Sequence, residues 1–373
     1  MKTKKIHIVG GGLAGLTAAI HLLKSGFEVT VFEKNSYPKH KVCGEYISNE
    51  VLPYLKSLGM DPFTYGAVPL KKLHCSSSNG NGIITKLPLG GFGLSRYMLD
   101  DLLHKCVLAA GGEILHEQVE NLVFNGNIFE IETFSTQKYE AKIVIGSYGK
   151  RANLDISLSR KFISHKSPWM AVKSHYKGDF QADLVGLHNF EGGYCGISKV
   201  ENNAINVCYL ARLDSFQCYK DLDRYREEVL RKNKFLDLFF EQATPIFKKP
   251  LTISQISFDS KERVANHILM CGDSASLIHP LCGNGMAMAI LGARIVSECI
   301  IAHQKQGSTR DQLETAYLQQ WENQFKSRLR WGRGLQKILT NPVAANLGIA
   351  TMQHTPRLFQ QLIKQTHGKT STV

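Results

Sequence analysis

The stretch that decides the fold is residues 6–34, IHIVGGGLAGLTAAIHLLKSGFEVTVFEK. Ile6 to Val9 is a short β-like run, and Gly10, Gly12 and Gly15 supply G-x-G-x-x-G. Leu16 to Lys24 then carries helical apolar spacing until Ser25-Gly26 stops it, and Glu28 to Glu33 reads as a second strand. Strand, glycine turn, helix and strand within about thirty residues, closed by an acid, form the dinucleotide-binding fingerprint. Gly10 permits the tight turn, Gly12 lets backbone approach a pyrophosphate, and Gly15 lets helix and strand pack closely. The exposed N–H groups and the helix dipole hold the anion. Glu33 accepts hydrogen bonds from a ribose, with Lys34 beside it.

This motif alone does not choose between FAD and a nicotinamide dinucleotide. A second stretch bears on the choice: CGDSASLIHPLCGNGMAMA, residues 271–289. Leu269 to Cys271 ends a hydrophobic strand and Gly272-Asp273 follows. After Pro280 a helix beginning near Asn284 runs through Met286, Ile290, Ala293 and Val296. One small nucleotide needs a single anion-friendly helix start. A ligand with a pyrophosphate, a ribityl chain and a ring uses both, which favours FAD. In that reading Asp273 meets the ribityl hydroxyls. The N–H groups near Gly285 and Met286, in a cradle with Pro280 and Gly283, face the N1 and C2 carbonyl of the ring. The positive helix end there favours the anion formed on flavin reduction.

The rest of the composition sets bounds. At 373 residues the chain exceeds one ordinary core, which predicts two domains or one large segmented domain. Nine cysteines without a CxxC pair or a Cys/His cluster predict reduced thiols in a cytoplasm and no metal. The opening MKTKK and its apolar sequel are broken by glycines and His21, so they read as fold rather than leader. No run reads as a membrane span. The net charge of +13 is spread along the chain, which argues against nucleic acid. Its densest segment, Phe325 to Lys337 with Arg328, Arg330 and Arg333, reads as a solvated helix face or as a dock for an acidic carrier protein or membrane surface.

The set GxGxxG with Glu33, SRYMLDDLLHKCVLAAGG and GDSASLIHPLCGNGM resembles the FAD-dependent oxidoreductases of the p-hydroxybenzoate hydroxylase fold. KVCGEYISNEVLPYL is similar to their geranylgeranyl reductase-like branch. The resemblance implies an α/β (α+β) architecture: a Rossmann-like FAD-binding domain with an inserted, mainly antiparallel β-sheet substrate domain. The segments assigned are 1–70, 96–160 and 261–330 to FAD, 71–95 and 161–260 to substrate, and 331–373 to a helical tail. Ser95 N-caps a helix from Arg96 to Ala110, where a cation at the positive helix end calls for a nearby anion. The resemblance makes Arg96 an FAD contact and places the backbone of Ala14, Cys43 and Val119 along the cofactor. Cys43 and Gly44 then border the flavin and its substrate cavity, with Cys43 a wall residue or a proton donor. Glu45 orients the loop or acts as an acid, and His279 reads as a packed histidine.

Two departures stand out. Tyr148 and Ala152 occupy the places of an Asp-Gly loop's aspartate and of a serine, which bears on direct reduction by NAD(P)H. In GYCGISKV, Tyr194 is kept but Gly196 replaces the tryptophan of prenyl reductases. The leading expectation is therefore a monooxygenase hydroxylating a small or carrier-bound intermediate through a flavin C4a-hydroperoxide. The alternatives are hydride transfer to an alkene and a non-catalytic prenyl- or partner-binding protein.

Overall fold

In the computed structural model, which describes residues 4–278, 283–339, 342–366 and 368, the strand Lys5–Val9 lies inside a six-stranded sheet. It pairs in parallel with Glu28–Phe32 on one side and Ile143–Gly146 on the other. Ile268–Met270 extends the sheet beyond Ile143–Gly146, and Glu113–Leu115 extends it beyond Glu28–Phe32. Burial on both faces explains why Ile6, Ile8, Val29 and Val31 read as apolar without strict alternation. The helix Leu13–Lys24 makes the crossover between the first two strands. Against it pack the helices Arg96–Ala109 and Gly285–Gln306.

The helix Gly285–Gln306 corrects one sequence expectation. It is long and apolar enough to cross a membrane, yet 72% of its apolar window is buried inside the fold. Its hydrophobicity is that of a helix enclosed on most sides, packed against the helices Leu13–Lys24 and Arg310–Leu339 and the strand Tyr46–Ser48.

A nine-stranded sheet forms the second layer. Its main path runs Thr244–Pro245, Trp169–Lys177, Ile205–Arg212, Gly193–Lys199, Leu184–Phe190, Val68–Ser76, Gly82–Gly93 and Tyr46–Ser48, and Leu251–Ser254 pairs off that path with Trp169–Lys177. All pairings but that of Leu184–Phe190 with Val68–Ser76 are antiparallel. The alternation is clean. Met170, Val172, Cys195, Ile197, Val207 and Tyr209 face one core, while Trp169, Ala171, Tyr194 and Leu210 face the other.

Two assigned boundaries fall inside elements, and one upstream strand joins the second sheet. Strand Val68–Ser76 crosses the boundary at 70/71, and Tyr46–Ser48 joins the substrate sheet from far upstream, because edge pairing recruits whatever backbone lies alongside. Helix Arg310–Leu339 runs straight through 330/331. After the strand Ile205–Arg212 come the separate helices Leu222–Glu228 and Lys234–Gln242, and Asn233 caps the second by accepting from Phe235 N. The expected helical tail is packed: helices Pro342–His354 and Pro356–Thr366 lie on strand Gly82–Gly93.

The fold buries histidines that acid must charge. His7 is enclosed, its Nε2 3.1 Å from the Glu140 carbonyl, and burial pushes its pKa down to about 4. His188, 2.8 Å from Ser76 Oγ, is pushed down by burial to about 3. Both bind protons more readily unfolded, at the ordinary value near 6.5, so their contribution is intact above that pH and is lost as pH falls towards 4. Acidification from pH 7 to 5 is expected to cost about 2 kcal/mol for each, from 1.36 kcal/mol per pKa unit. Urea melts at the two pH values measure it; His188→Gln flattens the slope.

Candidate functional site

The glycine turn is fixed by what surrounds it. Gly10 has φ +107°, and a Cβ there would lie 2.4 Å from the Ser147 carbonyl oxygen. A Cβ on Gly15 would lie 2.1 Å from the Gly10 carbonyl oxygen, so both positions require glycine. Gly12 differs. A Cβ there would meet nothing closer than Arg96 Nη2 at 3.8 Å and Lys41 Nζ at 3.9 Å. The bare backbone at the start of helix Leu13–Lys24 therefore opens onto two cations. That is the chemistry a pyrophosphate needs.

Glu33 stands beside this turn with its carboxylate already oriented. Oε2 accepts from Gly11 N at 3.0 Å, and Oε1 accepts from Asn35 N at 2.9 Å and from Asn35 Nδ2 at 2.6 Å. The anion that the sequence demanded beside Arg96 is supplied internally by Asp100. Arg96 Nε and Nη2 each donate to the Asp100 carboxylate at 2.7 Å, and Lys41 Nζ lies 2.9 Å from it. Burial opposes ionisation of Asp100, but the charges of Arg96 and Lys41 outweigh it and hold its pKa below the ordinary value. Arg96 is thus preorganised toward Gly12 rather than waiting for a ligand.

The second cradle is built against the first. Gly272 has φ +62°, and a Cβ there would lie 2.8 Å from the Ala14 Cβ, so the Gly272-Asp273 turn presses on the first helix. The Lys261 ammonium donates to the carbonyls of Lys150 and Asp273, at 2.7 and 2.8 Å. Burial pushes its pKa down to about 8. The helix Gly285–Gln306 starts here, its N-cap Asn284 making no side-chain cap among the described residues.

One continuous cavity of about 1060 Å³ joins the two cradles. Of the residues singled out in the sequence, Gly10, Gly12, Ala14, Glu33, Lys34, Cys43, Gly44, Arg96, Val119, Asp273, Gly283, Gly285 and Met286 line it. Gly15 lies behind the wall, as a packing glycine does, while Pro280 and His279 lie outside the described residues. Beyond the cradles the cavity runs along the nine-stranded sheet past Leu187, Tyr194, Gly196 and Leu210. Ile349, Met352, Phe359 and Ile363 of the two C-terminal helices close it. Those helices belong to the segment assigned from sequence to a helical tail.

Sequence reasoning also missed the polar clamp under Cys43. Glu45, at φ +54°, is fully buried. Its Oε1 accepts from Arg96 N at 2.7 Å and from the ammonium of Lys173, and its Oε2 lies 2.8 Å from His175 Nε2. Asn206 Nδ2 donates to the Cys43 carbonyl at 3.2 Å. Burial works against the charge of Glu45, but His175 and Lys173 hold its pKa down. Glu45 therefore orients the loop. The signal was legible in WMAVKSHYK, where Lys173 and His175 sit at alternate positions of an apolar strand.

The altered loop is equally occupied. Tyr148 OH is 3.5 Å from Met270 Sδ, and Ala152 N donates to Asp155 Oδ2 at 2.8 Å. Arg160, buried, reaches Asp155 at 2.9 Å and Glu262 at 3.2 Å. Another expectation is corrected at the basic segment. Arg328 is buried and donates to Glu50 at 2.8 and 3.1 Å, so the face open to an acidic partner retains Arg330 and Arg333 but not Arg328.

Residues 8–41 match the NAD(P)-binding Rossmann-like domain family. Over 348 residues the chain is 22% identical to digeranylgeranylglycerophospholipid reductase 2 of Methanopyrus kandleri, spanning 89% of this chain and 86% of that protein. It is 22% identical over 334 residues to conditioned medium factor receptor 1 of Dictyostelium discoideum, spanning 79% of this chain but only 62% of that longer protein. Among solved structures, a geranylgeranyl bacteriochlorophyll reductase-like protein from Thermoplasma acidophilum superposes with a TM-score of 0.78 at 18% identity, covering 94% of this chain and 91% of that one. The chain carries an FAD-type Rossmann domain within the p-hydroxybenzoate hydroxylase-like fold.

Proposed function

We propose that this chain is an FAD-dependent oxidoreductase acting on an elongated, largely apolar substrate. The observation that carries the reading is the single cavity running from the two backbone cradles onto the apolar face of the nine-stranded sheet. The groups present fit FAD. The opening over Gly12 faces Arg96 and Lys41, a pyrophosphate's counter-charges, and Glu33 and Asp273 offer carboxylates for the ribose and ribityl hydroxyls. Backbone N–H groups at Gly285 and Met286 suit an electron-rich ring edge. Ala14, Lys34, Gly44, Val119 and Gly283 complete the wall.

Bound there, FAD supplies two-electron redox chemistry, with NAD(P)H as the external reductant. The chain's own residues orient the substrate and keep the channel dry. Leu187, Leu210 and Ile253 exclude water. The Glu45 clamp fixes the loop that carries Cys43, whose Sγ holds a proton at the cavity wall for delivery to substrate carbon. That thiol, together with likeness to a named reductase along most of both chains, favours saturation of an alkene as the reaction. Hydroxylation, the leading expectation from the sequence, is the second reading. Gly196 favours it: a Cβ there would find no neighbour closer than 3.6 Å, leaving room for a ring rather than a slender chain.

The deciding experiment reduces FAD-loaded protein with dithionite, or with NAD(P)H, and offers geranylgeraniol and 4-nonylphenol. Anaerobic gain of hydrogen by the first supports alkene reduction. Oxygen-dependent hydroxylation of the second, with label from isotopic oxygen gas, replaces it with the second reading. Protein that stays colourless after loading with FAD overturns both.

A further inference from the structure

The net charge of +13, which reads as spread along the chain, has a one-signed end. Residues 323–373 hold eight Lys and Arg and no Asp or Glu, whereas the 322 residues before them hold 37 Lys and Arg against 32 acids. Two of the eight are answered by acids from outside the segment: Lys326 lies 3.4 Å from Glu322, and Arg328 is buried against Glu50. Arg330, Arg333, Arg357 and Lys364 are exposed, and none of these four pairs with an acid among the described residues. Opposite charges normally intersperse on a soluble surface, so cations alone leave a positive field that the fold does not consume. The same helices expose apolar side chains among these cations. Trp331, between Arg330 and Arg333 in the chain, is 41% exposed and Leu347 is 68% exposed, while the other two tryptophans, Trp169 and Trp321, are buried. Tryptophan beside arginine suits the boundary between water and lipid headgroups, where the ring is half-immersed and the guanidinium meets phosphate.

We propose that the end of helix Arg310–Leu339, together with the outer faces of helices Pro342–His354 and Pro356–Thr366, docks on an anionic lipid surface. The three helices pack on one another, and the last of them is two-faced. Phe359, Leu362 and Ile363 line the channel, while Arg357, Gln361 and Lys364 are exposed. The wall between the apolar channel and the cationic surface is thus one helix thick, about 10 Å. An acidic protein would answer the charge equally well. A lipid surface answers the exposed Trp331 and Leu347 too, and it is where an elongated apolar substrate dissolves, an argument that rests on the proposed function. Each cation near such a surface is expected to strengthen binding about fivefold, an effect that falls away within a Debye length.

The test sediments the full chain with phosphatidylcholine vesicles, plain or carrying about 30% phosphatidylglycerol. Wild type is expected to bind the anionic vesicles about a hundredfold more tightly than the plain ones, and salt at about 0.5 M to release it. Lipid brominated near the headgroup is expected to quench tryptophan emission, and Trp331→Phe to remove that quenching, because Trp169 and Trp321 are buried. The combined variant Arg330→Gln, Arg333→Gln, Arg357→Gln, Lys364→Gln is expected to lose the anionic preference and to melt like wild type. A wild type that binds neither vesicle, or a combined variant that keeps the preference, overturns the proposal. So does binding of polyglutamate as tight as that of anionic vesicles with Trp331 unquenched, which makes an acidic protein the occupant. Neither FAD nor substrate enters these measurements. Failed docking therefore leaves the proposed reaction standing, and docked protein that reduces no alkene overturns the reaction alone.

Discussion

Gly12→Asp is expected to leave the protein folded and to weaken FAD binding more than a hundredfold. The two halves of that result have separate causes. Gly12 has φ −85° and ψ −174°, an extended conformation open to any residue, and its Cβ direction is clear to 3.8 Å. It is also the N-cap of helix Leu13–Lys24, where aspartate accepts from the first free N–H groups and is a preferred residue. The melting temperature of the cofactor-free protein therefore holds or rises. The new carboxylate, however, enters the space between Arg96 and Lys41 and consumes the positive potential meant for a phosphate. Two like charges then compete for one cradle, and a charge-assisted contact of about 1.5–3 kcal/mol becomes a repulsion. Equilibrium dialysis against FAD gives the affinity, and thermal melting of the cofactor-free protein controls for folding. Gly15→Asp loses both together, since its Cβ has no room.

Lys173→Met is the largest expected loss of stability from one side chain. Lys173 and Glu45 are both fully buried, and each is the other's main counter-charge. Removing the ammonium leaves a carboxylate in the interior with only His175 and the Arg96 N–H, at a cost of about 3–5 kcal/mol. Against a typical stability of about 5–15 kcal/mol, that brings the variant close to unfolding at room temperature. The damage belongs to the unpaired charge rather than to a lost bond. Lys173→Met combined with Glu45→Gln should therefore recover most of it, and a double-mutant cycle in urea reads the coupling directly. Because Glu45 anchors the loop that carries Cys43 and Gly44, the single variant also loosens one side of the cavity. A single variant that melted like wild type would show that Glu45 is neutral in the fold.

Arg96 shows where one-dimensional reading gains and where it stops. Placing a cation at a helix start raised the question of a compensating anion, and that question was sound. The compensating anion, Asp100, lies four residues along the same helix, a spacing that was readable. Glu45 was the harder case. Its partners Lys173 and His175 are far away in the chain, and only the docking of the 43–45 loop on the sheet brings them together. The helices Pro342–His354 and Pro356–Thr366 were harder still, since nothing local says that their apolar faces close a channel rather than cover a core.

By itself the sequence determined the nucleotide-binding half of this protein: the strand at Lys5–Val9, the glycine turn, the acid at Glu33 and the second glycine cradle before Gly285–Gln306. These are short-range features, set by backbone sterics and helix ends, and such constraints are written in consecutive residues. Only the tertiary structure decided that the two cradles share one cavity, that Arg328 is buried against Glu50 rather than offered to a partner, and that Lys173 and His175 meet Glu45. Each depends on strand register and on which surfaces dock, and a one-residue slip of register would turn Lys173 to the opposite face of its sheet.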